Sequence, residues 1–282
     1  MIGKILRISC LTAGLSLVAG CGFLTDSATT LLVPPAEEVK LGTELSNEVE
    51  KELILHPSST VQQKFQAMGD KLVAQLGPDV PEEYEFIFKV VQDDTMINAF
   101  AAPGGRIYFY TGLLYAADNE AAVMGVLAHE ISHVTERHGA KQMVAQFGLD
   151  AVLSLAIGND PGIWTELLVG LGKTGALLNY SREDESESDR VGLGLVVKAG
   201  YDPNAFADFF ALLGAGEGQE DFLSFLSTHP APGERAEEVR SLIAGLSSVP
   251  DFKGDPAEWN QFIADLNQTG GSTNPAPDQT KD

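Results

Sequence analysis

The segment Leu127-Ala128-His129-Glu130-Ile131-Ser132-His133-Val134 constrains this chain more than any other stretch of it. Apolar residues surround two histidines four positions apart, and neither Pro nor Gly occurs between Val126 and His138, so the stretch reads as a helix. On a helix the two imidazoles share a face, one turn apart. They can then converge on one ion, because Zn–N bonds of about 2.0–2.1 Å require both rings to point at the same place. Glu130 is rotated from His129 by about 100°, which suits a general base beside the metal better than a ligand. Catalytic zinc takes three protein ligands and keeps one position open, so a further ligand is expected from another element.

The acidic run Glu183-Asp184-Glu185-Ser186-Glu187-Ser188-Asp189 is the place to look for it. The run opens a helix capped near Ser181, where acidic residues also complement the positive helix end, and that alone explains their presence without a metal. Glu185 and Asp189 are four apart and share a face. One of them can ligate while the other accepts the proton of a ligating imidazole. Glu183 and Glu187 point elsewhere. His138, just before Gly139, reads as a partner of the C-terminal dipole of the metal helix, and His56 reads as a surface residue.

Three segments in the same order carry a resemblance: His129-Glu130-Ile131-Ser132-His133; Asn179-Tyr180-Ser181-Arg182 with Glu185, Glu187, Ser188 and Asp189; and Ser227-Thr228-His229-Pro230 with Arg235. Together they resemble the HtpX-like and CaaX-prenyl-protease-type zinc peptidases, peptidase family M48, over roughly Val39–Ser241. Ser188 stands where that family usually has Ala. The resemblance implies an α+β, mostly helical zincin of the gluzincin type, built around an active-site helix and holding one zinc ion per chain. It implies His129, His133 and Glu185 as the metal ligands, Glu130 as the catalytic base, and Asp189 as the residue that orients a ligating histidine. It also places His229 and Arg235 at the catalytic cleft, with His229 either a gate on the metal's open position or an aid to the transition state. Asn98-Ala99-Phe100-Ala101-Ala102-Pro103-Gly104-Gly105 is similar to the family's segment at the sheet edge. There Asn98, Ala99 and Phe100 are expected to bind substrate by strand addition, the alternative being a plain hairpin with a Pro-Gly-Gly turn.

Around this centre, two polar amphipathic helices are expected over residues 36–56 and 59–76. Tyr84–Val91 and Arg106–Tyr110 alternate as strands do and predict a small antiparallel sheet. From Asp118 onward the chain reads as helical. The apolar stretch Met143–Leu178 is interrupted by Gln146, Asp150, Asp160, Glu166 and Lys173 before it reaches the ~20 residues of a membrane span. It reads as a buried helical pair or, alternatively, as a segment lying on a bilayer or over the active site.

The first residues bound location. Lys4 and Arg7, the apolar run Ile8–Val18 and then Ala19-Gly20-Cys21 form the three parts of a secretory signal. Leu17–Cys21 resembles a bacterial lipobox, which implies cleavage before Cys21 and a lipid on that cysteine; the alternative is a plain cleaved signal. Gly22, rather than Asp, follows, which points to the periplasmic face of the outer membrane. Of the two cysteines the other, Cys10, lies within the signal, so no disulfide is expected in the processed chain. The expected organisation is a signal over 1–20, a lipidated tether over 21–35, a catalytic domain over 36–266 and a disordered tail over 267–282.

A formal net charge of −22 repels nucleic acid and anionic membrane surfaces, which leaves the lipid as the route to a membrane. The expected function is peptide hydrolysis by an anchored zinc endopeptidase acting on misfolded or unassembled cell-envelope proteins, with Arg235 or His229 steadying the oxyanion. The rival is a chaperone-like or adaptor lipoprotein of outer-membrane protein assembly with latent activity. No phosphate-binding loop and no G-x-S-x-G elbow supports other hydrolase chemistry.

Overall fold

Pro34 and Pro35 set the start of α1 (Pro35–Glu52), whose buried Leu41, Leu45 and Val49 recur at helical spacing. The computed structural model describes residues 33–156, 162, 166, 168–169, 178–215, 225 and 228–268. The expected signal, lipid site and tether as far as residue 32, most of residues 157–177 and the tail beyond 268 therefore lie outside the described residues; Val33 is already buried and Pro35 already helical, so the folded part begins before the expected residue 36. The helix stops short of the expected His56, because Leu55 bridges Val91 and the His56 amide donates to the Val90 carbonyl at 2.8 Å. His56 is itself buried, its Nε2 3.1 Å from the Leu266 carbonyl, so the surface reading fails. Helix α2 (Ser59–Val73) follows, capped by the Ser58 hydroxyl.

Strands β1 (Ile87–Val91), β2 (Ala99–Ala102) and β3 (Arg106–Tyr110) form one sheet in the order β1-β3-β2. Strands β2 and β3 are antiparallel, but β1 and β3 are parallel, which corrects the expected antiparallel sheet. A period of two is the same in both pairings, so alternation alone could not reveal direction. The Pro103-Gly104-Gly105 turn uses positive φ at both glycines, and Gly104 sits against the Val39 backbone of α1.

The sheet divides two apolar cores. Phe88, Val90, Ala99, Ala101, Ile107 and Phe109 face one that contains α2 and the helices to follow. Val91, Phe100, Ala102, Tyr108 and Tyr110 face the other, with α1. After the short α3 (Thr111–Ala116), α4 (Glu120–Thr135) runs through the larger core with residues 120–134 all buried. Each large apolar side chain buried there contributes roughly 1.5–3 kcal/mol, which offsets the cost of taking Glu120, His129, Glu130 and His133 inside on the same helix.

Helices α5 (His138–Phe147) and α6 (Leu149–Ala156) meet at Gly148 and bury Met143, Val144, Val152 and Leu155 beside α1. The helical pair expected over Met143–Leu178 is described only as far as Ala156, and there these helices pack on α1. Helix α7 (Arg182–Lys198) starts at a capping box between Ser181 and Asp184. Helices α8 (Pro203–Ala215), α9 (Pro232–Ala244) and α10 (Pro256–Asn267) complete the larger core. Among the described residues no helix is long and apolar enough to cross a membrane.

Candidate metal centre

Two close approaches decide where the site forms. A Cβ on Gly192 would lie 3.0 Å from the Ala128 carbonyl carbon and the His129 nitrogen, so its absence lets α7 rest on α4 at the first histidine. Gly125 likewise makes room for Phe206 of α8. Gly192 shares a face of α7 with Glu185 and Asp189, at i, i+4 and i+7. The contact that needs the glycine therefore aims both carboxylates at α4.

The outcome is a buried group of His129, His133, Glu185 and His229, with one candidate ligand atom from each residue lying within 4.8 Å of all the others. The two Nε2 atoms of His129 and His133 are 2.9 Å apart. Glu185 places Oε1 3.3 Å from His133 Nε2 and Oε2 3.6 Å from His129 Nε2. His229 Nδ1 is 3.0 Å from Glu185 Oε1 and 3.4 Å from His129 Nε2. Its Nε2 is 3.5 Å from Glu130 Oε1.

Outer contacts bear on the tautomer of His129. Its Nδ1 lies 2.9 Å from Asp189 Oδ1 and 3.3 Å from an Arg235 terminal nitrogen; a carboxylate can only accept, so the Asp189 contact favours a proton on Nδ1, which in a neutral ring leaves Nε2 as the acceptor. Arg235 grips Asp189 by two 2.7 Å hydrogen bonds, forms an ion pair with Glu185 Oε2, and lies over the Phe210 ring at 4.3 Å. Imidazole nitrogens and a carboxylate oxygen converging in a buried space are a donor set that fits a metal ion, zinc in particular. Glu130 adds to this fit: it is fully buried and neither of its oxygens has a hydrogen-bond partner. Such a carboxylate has a large desolvation cost that only a reacting proton or a cation nearby relieves.

Residues 59–243 match the model of Peptidase family M48. The chain belongs to this family. Relatives of the M48 chain include the mitochondrial metalloendopeptidase OMA1 of Schizosaccharomyces pombe, 34% identical over 55% of this chain and 45% of that protein. They also include beta-barrel assembly-enhancing proteases of Yersinia pestis, 31% identical over 70% of this chain and 42% of that one, and of Escherichia coli, 28% identical over 77% and 45%. The chain thus spans less than half the length of these relatives. M48 enzymes are metallopeptidases that use zinc, and the group around His129 is where this M48 chain can hold one.

Electrostatics separate the carboxylates of the M48 site. Burial pushes the Glu130 carboxyl above its ordinary range, with His229 and His129 acting against the shift. Burial pushes Glu185 the same way, but Arg235, His229 and His129 outweigh it and hold that carboxyl well below the usual range. Asp189 is likewise lowered, because Arg235 outweighs burial. His133 is held well below the ordinary imidazole value by burial and then by His129. For His229 burial is outweighed by Glu185 and Glu130, which raise it. One carboxylate of the group is thus favoured in its ionised form and another in its protonated form.

The site is closed. Tyr180 stacks on His133 with ring centroids 3.8 Å apart and an 18° interplanar angle, and Phe225 stacks on His229 at 4.7 Å. Strand β2 does lie at the edge of the sheet, but Asn98, Ala99 and Phe100 are all buried. Phe100 stacks on Tyr108 at 4.8 Å, in the core shared with α1. Asn98 instead donates to the Thr228 hydroxyl at 3.4 Å, next to His229.

His138 corrects the reading of it as a dipole partner of the metal helix. It is the first residue of α5, buried, with Nδ1 3.0 Å from His133 Nδ1. Five positions is about 140° around a helix, so face arithmetic hid this contact. Only the left-handed backbone at Arg137, φ 62°, brings His138 back to its neighbour. Tyr180 was present in the motif without a role; its stacking on a ligand candidate becomes visible only in three dimensions.

Proposed function

We propose that the chain is a membrane-anchored zinc endopeptidase that hydrolyses peptide bonds of misfolded or unassembled cell-envelope proteins, anchored by a lipid on Cys21 at the periplasmic face of the outer membrane. The observation that carries the hydrolytic reading is Glu130, whose two buried, unpartnered oxygens sit beside the converging His129, His133 and Glu185. These three residues would hold one zinc ion, with Asp189 orienting His129. When bound, zinc supplies Lewis acidity that activates a water and polarises the scissile carbonyl.

Glu130 takes the proton of the attacking water and returns it to the leaving amine, a role suited to a carboxyl raised above its ordinary range. His229, held protonated more readily than a free imidazole by Glu185 and Glu130, donates toward the developing oxyanion. Arg235 steadies the same charge while it holds Glu185 and Asp189 in place. Asn98, Ala99 and Phe100 form the strand along which an extended substrate would pair. Two relatives named for enhancing β-barrel assembly support the envelope setting, and a net charge of −22 argues against nucleic-acid partners.

The test is Glu130→Gln. Zinc content should persist at one per chain while cleavage of casein or of an unfolded envelope protein falls by about 10²–10⁴-fold. Retained cleavage in the zinc-loaded variant would sink the assignment. A second reading, a chaperone-like or adaptor protein with latent activity, is favoured by the burial of His229 within the metal group and of Tyr180 over it. Cleavage by His229→Ala that the unmodified chain lacks would identify a latent peptidase; binding without cleavage in both would favour the adaptor.

A further inference from the structure

The contacts around His133 point to His138 as the positioning residue of that ligand, and we propose that a chain His133–His138–Glu187 fixes the tautomer and angle of its ring. This rests on the reading of the His129, His133 and Glu185 group as a zinc site. His133 can present a bare Nε2 only if its proton is on Nδ1, and that atom lies 3.0 Å from His138 Nδ1. His138 Nδ1 must then accept, which leaves its own proton on Nε2. That atom is 3.3 Å from Glu187 Oε2 and 3.6 Å from Asp184 Oδ1, both able to accept. The Ser188 hydroxyl, 3.2 Å from His138 Nδ1, can donate into the same lone pair. Every proton in the chain has one position consistent with its neighbours, and the direction runs outward from ligand to surface carboxylate.

Two constraints on the His133 ring result. Tyr180 stacks on its face and restricts tilt, while His138 holds one edge and restricts rotation in the plane. The turn that delivers His138 is not free. A non-glycine residue rarely adopts the left-handed region, and Arg137 occupies it with φ 62°. Its side chain is held in compensation, with Nε donating to Glu38 Oε2 at 2.8 Å and a terminal nitrogen donating to the Val33 carbonyl at 2.5 Å. The first turn of α1 therefore clamps the turn that positions His138.

The test uses the full chain and two readouts that a merely structural role would not move. One is zinc affinity by competition with a chromophoric chelator, and the other is the visible absorption of the cobalt(II)-substituted protein. His138→Phe, which fills the space without an acceptor, should weaken zinc binding by about 10–100-fold and shift the cobalt bands. His138→Asn, whose side-chain oxygen can accept from His133, should recover most of both. Parental affinity and spectrum in a folded His138→Phe would overturn the proposal. Should that variant not fold, Glu187→Ala decides: this side chain is 39% exposed, and a smaller loss of affinity with a shifted cobalt spectrum supports the chain, whereas parental values overturn it. Zinc binding by the unmodified protein that His129→Ala abolishes keeps the metal reading standing in either case. An unmodified protein that binds no zinc overturns that reading and this proposal together.

Discussion

His129 and His133 leave α4 one turn apart and point at the same place, yet they are held by different chemistry. His129 is backed by Asp189, which Arg235 grips bidentately in a sealed interior with both partners almost fully buried. His133 is backed by His138, itself backed by Glu187, a residue 39% exposed at its side chain. The first arrangement joins three helices, α4, α7 and α9, and depends on a desolvated ion pair. The second is mostly local, made by a turn just after the metal helix and the start of α7. A buried carboxylate with its counter-charge is costly to leave half-made, so the His129 side should govern stability. The His133 side, nearer water and without a buried ion pair, should govern ligand geometry at lower cost.

Arg235→Leu is the sharpest way to break this contrast. It strands the carboxylates of Glu185 and Asp189, and removing one partner of a buried pair costs roughly 3–5 kcal/mol. Urea unfolding of the zinc-free protein measures it; a loss below about 1 kcal/mol would remove the distinction between the two sides. A smaller effect is expected from Asp189→Asn, in which the amide can still donate or accept but carries no charge. Zinc affinity should fall by about 10–100-fold, read by chelator competition. An unchanged affinity would make Arg235, not Asp189, the element that matters to His129.

The smallest expected effect concerns α1 on the His133 side. Burial raises the Glu38 carboxyl above its ordinary 4.5, against the opposing pull of Arg137 and Tyr84. A raised carboxyl binds its proton more tightly when folded. Its contribution to stability is therefore fully present below the unfolded value and is lost as pH rises through the folded one. Glu38→Gln should flatten the decline in stability that the parent shows as pH climbs from about 4.5, measured by unfolding at a series of pH values. Equal slopes in parent and variant would show that this acid ionises like an exposed one.

Much of the site was legible along the chain because it is local. His129 and His133 at i and i+4, and Glu185 and Asp189 at i and i+4, need only helical geometry to share a face. Ser181 capped α7 as expected, and Arg106–Tyr110 is a strand with those bounds. What failed depended on contacts between distant segments. His56 lacks any motif, and it is buried where its ring meets the Leu266 carbonyl of α10 and its backbone meets β1. The direction of β1 against β3 is invisible in alternation, which has the same period either way. His138 was hidden because the left-handed backbone at Arg137 is held by Glu38, about a hundred residues earlier.

The sequence by itself determined which histidines and carboxylates share a face on each of two helices, because this follows from residue identity and a fixed helical repeat. The tertiary structure alone decided that the two helices meet, through the missing Cβ of Gly192. It also decided that Arg235 and Asp189 serve one histidine while His138 and Glu187 serve the other. The physical reason is range: helical geometry fixes side chains within a turn or two, whereas desolvation and ion pairing act on whatever the packed core brings within a few ångströms.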